Sequence, residues 1–181
     1  MEIIPGILEK DWDGIAEKLS LVRPFAKTVH IDLIDGRFVD NLTHLDPEAF
    51  APLADDFFLE LHMMVEEPIE YVARWAKAGF RRFLGHIEQM SDQAAFVAEA
   101  ERFGEVGLAL DGPTPVSRIE VPLVDLDALL IYTSWQTTMH ARLISAPTHP
   151  CISPGILSLS KPELQITNVT TGLSGTRIIL S

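Results

Sequence analysis

Apolar residues fall in short blocks with two periods, and the blocks alternate. Ile3-Ile4-Pro5-Gly6-Ile7-Leu8 predicts a short buried strand. A helix follows, with Asp11 as N-cap and Trp12, Ile15, Leu19 and Val22 on one stripe. Thr28 to Ile34 is a second strand, followed by a loop and a short helix near Pro47–Leu53. Phe57 to Val65 is a third strand. Pro68 to Ala78 is a helix with Ile69, Val72 and Trp75 on its apolar side, closed by Gly79. Arg82 to His86 is a fourth strand. A helix capped by Ser91 and stopped by Gly104 carries Phe96, Ala100 and Phe103. Val106 to Leu110 and Ala128 to Tyr132 are the fifth and sixth strands. Trp75 and the phenylalanines read as core.

Strands separated by helical stretches are the pattern of βαβ units and a parallel sheet. Six such strands suit a doubly wound sheet or most of a (β/α)8 barrel. No Gly-x-Gly-x-x-Gly follows the first strand, which argues against dinucleotide binding. A full barrel takes roughly 200 residues or more, and this chain has 181. The shortfall lies at the C-terminal end, where the periodic pattern stops.

Chemistry concentrates in the second and third strands. With a period of two, His30 and Asp32 face one way and Val29, Ile31 and Leu33 the other. A parallel strand covered on both faces is normally apolar throughout, so two polar residues on its inner side need a reason. His62 occupies the matching end of the third strand, and neighbouring strands lie about 4.8 Å apart. His30, Asp32 and His62 can therefore meet at one ion. Two imidazoles and a carboxylate suit Zn, Fe, Mn or Co. A buried, hydrogen-bonded His/Asp cluster without an ion fits the same spacing equally well. Asp35-Gly36 reads as a loop turn. His44 reads as a loop residue, and His140 and His149 have no partner spacing. Gly172-Leu173-Ser174-Gly175-Thr176 fits a surface turn better than a phosphate cradle.

The sequence resembles the ribulose-phosphate 3-epimerase family. The likeness rests on Ile4-Pro5-Gly6-Ile7-Leu8, the run His30-Ile31-Asp32-Leu33-Ile34-Asp35-Gly36-Arg37-Phe38-Val39-Asp40-Asn41-Leu42-Thr43, Leu61-His62-Met63-Met64-Val65, Ala78-Gly79-Phe80 and Gly107-Leu108-Ala109-Leu110. It implies a TIM (β/α)8 barrel and metal-assisted epimerisation at carbon 3 of a ketopentose phosphate. It implies metal ligands at His30, Asp32 and His62, with Asp32 also one of two acid–base carboxylates. Met64, Gly6 and His86 fall at substrate positions; for His86, a structural hydrogen-bonded role fits as well. Gly6 stands where the family usually has a serine, and Ile34 where it has a methionine. The second acid–base aspartate and the family's phosphate loops have no counterpart after Tyr132. Glu163 is the one acid there, and its surroundings do not match the family's.

Charge changes at the same place. Residues 1–132 hold 25 acidic and 11 basic residues, whereas 133–181 hold Glu163 against Arg142, Lys161 and Arg177. Ser and Thr number 6 before the boundary and 15 after it. The expected domains are therefore 1–132, an epimerase-like set of five βα units plus a sixth strand, and 133–181, an aberrant segment with the character of a frameshift product. An altered, non-catalytic barrel is the alternative to an enzyme. Such a barrel would stay open, with the first and sixth strands as unpaired edges. A net charge of −12 disfavours nucleic acid and anionic membranes as partners. A single cysteine, Cys151, and the lack of an N-terminal leader pattern suit a cytoplasmic setting. Whether the chain forms a homo-oligomer stays open. The frameshift expectation has a direct check at the gene. One alternative frame past codon 132 should encode a phosphate loop followed by an Asp-Gly-Gly strand, and its absence from both would overturn the idea.

Overall fold

Alternation along the strands produces two faces, and the chain curls so that one face lines an interior. The computed structural model describes residues 3–132, 165–170 and 177–180. In order these form β1 (Ile3–Ile7), α1 (Trp12–Val22), β2 (Thr28–Ile34), β3 (Phe58–Met64), α2 (Ile69–Lys77), β4 (Phe80–His86), α3 (Gln93–Ala100), β5 (Glu105–Asp111), β6 (Ala128–Tyr132), β7 (Gln165–Thr170) and β8 (Arg177–Leu180). The β2–β3 connection carries a 3-10 helix, Pro47–Leu53, and the β5–β6 connection two 3-10 turns, Val116–Arg118 and Leu123–Asp125. No helix among the described residues is long and apolar enough to cross a membrane.

β1 to β6 are neighbours in sequence order and all parallel, as a TIM-type barrel requires. The C-terminal end is altered. β6 pairs in parallel with β8, β8 pairs antiparallel with β7, and β7 pairs antiparallel with β1. The ring therefore closes in the order β6-β8-β7-β1. The expected open edges on β1 and β6 are not found, because a reversed strand and a parallel one supply the missing partners.

The outward strand faces hold the larger core. Ile31, Leu33, Leu61, Met63, Phe83 and Leu108 pack there against Ile15, Leu19, Val72, Trp75 and Phe96 of the helices. Phe50 sits at the centre, fully buried, with ring centroids 5.1 Å from Trp12, 5.7 Å from Trp75 and 5.3 Å from Phe80. A smaller inner cluster joins Leu84, Ala109, Ala128 and Leu130. Not every aromatic is core: Phe25 is 66% exposed, beyond the last turn of α1.

Asp11 caps α1 as expected, accepting from the Gly14 N–H at 2.9 Å. For α3 the cap is Asp92, which accepts from the Ala95 N–H at 2.9 Å. Ser91 instead meets Glu67 through both its backbone N–H and its hydroxyl. Asp35 shapes its loop as expected, accepting from the backbone N–H groups of Arg37 and Glu66. Gly36 beside it has φ +82°, a conformation that a Cβ disfavours.

The outer aromatic layer should dominate stability. Phe50→Ala is expected to cost about 3–5 kcal/mol in urea denaturation. Asp92→Ala should cost about 1 kcal/mol, the usual loss of an N-cap.

Candidate metal centre

Register brings the polar residues into rows across the barrel interior. Gly6 of β1 lies opposite His30, His30 opposite Glu60, Glu60 opposite Arg82, and Arg82 opposite Glu105. One step nearer the C-terminal mouth, Asp32 lies opposite His62 and His62 opposite Leu84. Met64 and His86 are two residues further along their strands, on the same face. His30, Asp32 and His62 are all buried, and one ligand atom from each lies within 4.8 Å of the others. The three residues singled out for a shared ion are thus brought together.

Their hydrogen bonds are incomplete in an informative way. Asp32 Oδ1 is 2.7 Å from His62 Nδ1 and 3.3 Å from His30 Nε2. His30 Nδ1 is 2.5 Å from Glu60 Oε1. His62 Nε2 is 2.9 Å from His86 Nε2, and His86 Nδ1 is 3.1 Å from Glu88 Oε2. Glu88 in turn accepts the Asp111 N–H at 2.9 Å. Each of these five ring-nitrogen contacts needs one proton or cation between its atoms. Three neutral imidazoles bring only three N–H groups. The outer carboxylates take two of them, from His30 Nδ1 and His86 Nδ1. The third, on His62, goes from Nδ1 to Asp32 or from Nε2 to His86, according to the tautomer. His30 Nε2 is then left with its lone pair facing Asp32 Oδ1, and with the His62 proton on Nε2 so is His62 Nδ1. His30 Nε2 is buried and has no hydrogen-bond partner.

Electrostatics allow a proton to fill one of these gaps and not the other. Burial works against a charge on His30, but the carboxylates of Asp32 and Glu60 on either side of its ring prevail and hold its pKa up at about 10. Burial pushes His62 down to about 4, against the pull of Asp32. Burial would raise Asp32, yet its hydrogen bonds with His30 and His62 keep it far below the usual carboxylate range. With the His62 proton on Nε2, a divalent cation beside Asp32 would meet both ring lone pairs at once. The donor set of two imidazoles and a carboxylate fits such an ion.

The other singled-out residues are placed as follows. Met64 is fully buried beyond His62, and Gly6 lies beside His30. His86 is fully buried between His62 and Glu88. His44 is away from the cluster, 5.7 Å from the Trp12 ring and 6.1 Å from Phe50. Glu163, His140, His149 and the Gly172–Thr176 stretch lie outside the described residues. Glu60, Arg82, Glu88 and Tyr132 also belong to this interior, and the motifs read from sequence do not single them out. Tyr132 ends β6 with its ring 5.5 Å from His62 and 5.8 Å from His86. Burial, and then the charge of Asp32, raise its pKa. The available signal was a Glu and an Arg in the middle of two apolar strands.

Comparison with known proteins bears on the same segment. The model of the ribulose-phosphate 3-epimerase family matches residues 2–139. The ribulose-phosphate 3-epimerase of Bacillus subtilis (strain 168) is 34% identical over 137 residues, 74% of this chain and 63% of that protein. That of Synechocystis sp. is 32% identical over 135 residues, covering 71% and 58%. The cytoplasmic isoform of Oryza sativa subsp. japonica is 33% identical over 135 residues, covering 70% and 57%. The chain thus spans about three fifths of the length of the curated relatives it matches. On the family match and these identities together, the chain belongs to the ribulose-phosphate 3-epimerase family.

Proposed function

We propose that the chain carries a metal-assisted epimerase site acting at carbon 3 of a ketopentose phosphate such as ribulose 5-phosphate, in cytoplasmic carbohydrate metabolism. The observation that carries this is the convergence of buried His30, Asp32 and His62 within reach of one ion, in a chain of this family. Family membership favours this reading over a non-catalytic altered barrel.

In this proposal His30 Nε2, Asp32 and His62 Nδ1 hold one divalent ion. When bound, the ion supplies electrostatic stabilisation for the negative charge that develops on the substrate oxygens. The proton on carbon 3 is acidified by the neighbouring carbonyl, and Asp32 takes it on one face of the sugar and returns it there. Met64 lines the apolar wall beside the reacting carbons. Gly6, with no side chain, leaves the space beside His30 to the substrate. His86, held by Glu88, fixes His62 with Nδ1 toward Asp32 and acts through that ring. Inversion needs a second acid–base group on the opposite face. Among the described residues none matches the family's second aspartate. In this proposal residues 1–132 form the epimerase-like unit, and 133–181 form a segment of different character.

Two measurements test the reading. Elemental analysis of chain purified without chelator should give one divalent ion per molecule, and His62→Ala should weaken binding about tenfold or more. Metal-loaded chain in D2O should exchange the carbon 3 proton of ribulose 5-phosphate, followed by NMR, faster than it forms the epimer. Proton removal needs Asp32 alone, and a missing partner typically costs net inversion 10²–10⁴-fold. Asp32→Asn should abolish the exchange. Metal-loaded wild type with no exchange above buffer would overturn the proposal.

A further inference from the structure

Residues two apart on a strand share a face, yet Phe80 and Arg82 do not. Leu59 lies opposite Phe80 while the next residue, Glu60, lies opposite Arg82, so β4 spends two steps where β3 spends one. This irregularity reverses the phase of β4. Phe80 goes outward to Phe50 and Trp75. Arg81 is exposed and donates to the Ala54 carbonyl at 2.7 Å. Arg82 is delivered into the barrel interior, where it is 1% exposed.

There it is fully engaged. Its Nε and Nη2 donate to Glu105 Oε2 at 2.7 and 2.6 Å, and its Nη1 donates to Glu60 Oε2. Its guanidinium carbon lies 5.0 Å from the centroid of the Phe58 ring. Glu60, with no exposed surface, uses its other oxygen, Oε1, to accept from His30 Nδ1. The row Glu105–Arg82–Glu60–His30 therefore runs from a part-exposed carboxylate to a ring nitrogen whose opposite side faces Asp32. A buried guanidinium is costly to keep without such partners, and breaking one link leaves a buried charge.

We propose that Arg82 is a positioning residue for the metal centre: clamped by Glu105, it aims Glu60 Oε1 at His30 Nδ1 and so turns His30 Nε2 toward Asp32 and His62. This rests on the metal-holding reading given above. Arginine suits the task because its planar fork reaches two carboxylates at once, while lysine offers a single point of contact. Glutamine at position 60 does not replace glutamate. Its one oxygen goes to either the guanidinium or the ring N–H, and its NH2 group then faces the other.

The test is a Co²⁺ titration of the full chain, followed by visible absorption, with 15N NMR of the histidines in Zn²⁺-loaded protein. Wild type should bind one Co²⁺, and the loaded protein should show His30 protonated at Nδ1. Arg82→Met should bind Co²⁺ about 10–100-fold more weakly, with a changed absorption band. Glu60→Gln should show a loss of the same size and shift the proton on His30 to Nε2. Arg82→Lys should recover part of the affinity. Near-UV circular dichroism reports folding. If Arg82→Met does not fold, Glu60→Gln, which keeps the Arg82–Glu105 pair, carries the comparison. Wild type that binds no Co²⁺ removes the metal-holding reading itself. Wild type that binds while the folded variants bind equally well overturns the role of Arg82 alone. Loaded wild type with His30 protonated at Nε2 overturns it whatever the variants do.

Discussion

A single buried carboxylate oxygen shared between two buried imidazoles is the constraint on which the rest of the interior depends. Asp32 Oδ1 lies 2.7 Å from His62 Nδ1 and 3.3 Å from Nε2 of His30, whose other nitrogen is claimed by Glu60. A buried carboxylate between two rings is costly unless positive charge, from a proton on a ring or from a cation, meets it there. The polar residues around it can be read by their distance from that point. Glu60 and His86 each fix one ring. Arg82 and Glu88 each steady one of those two.

This interior is unlike the usual filling of a small parallel barrel, where branched apolar side chains stack in layers. Here the inner apolar cluster among the described residues is small, joining Leu84, Ala109, Ala128 and Leu130 on β4, β5 and β6. Cohesion comes instead from the outer layer, where Phe50, Trp75 and Phe80 meet edge to face or tilted. Separating the two tasks by face lets one side of β2, β3 and β4 be polar without forfeiting the core. It also means that substitutions on alternate residues of one strand report on different properties, stability on one face and site geometry on the other.

How far the sequence told this in advance follows from which interactions are local. The strand period placed His30 and Asp32 together, and strand order brought in His62. Helix stripes gave Ile15, Leu19, Val72 and Trp75 as core, and they are buried. The Asp11 cap was legible because a cap acts within one turn. At α3, Ser91 and Asp92 both have capping chemistry, and tertiary contact with Glu67 decides between them. Arg82 was not legible, because its direction depends on a register shift against a different strand. The reversal of β7 was hidden for the same reason: pairing partners are chosen across the sheet. Phe25 shows the opposite failure, an apolar residue that pattern alone would bury and that lies beyond the helix it follows.

The reversed strand also sets which connections can reach the site. In a barrel with every strand parallel, each connection that follows a strand leaves at the same mouth. With β7 running the other way, Tyr132 and Gln165 both lie toward the mouth that holds His62, Gln165 being level with Gly6. Thr170 and Arg177 lie at the far rim, where β6 begins. Chain polarity thus assigns the two C-terminal connections to opposite ends. The link from β6 to β7 starts and finishes beside the polar interior. Thr170 and Arg177 sit at the opposite rim, so an anion held between those two residues would be out of reach of Asp32.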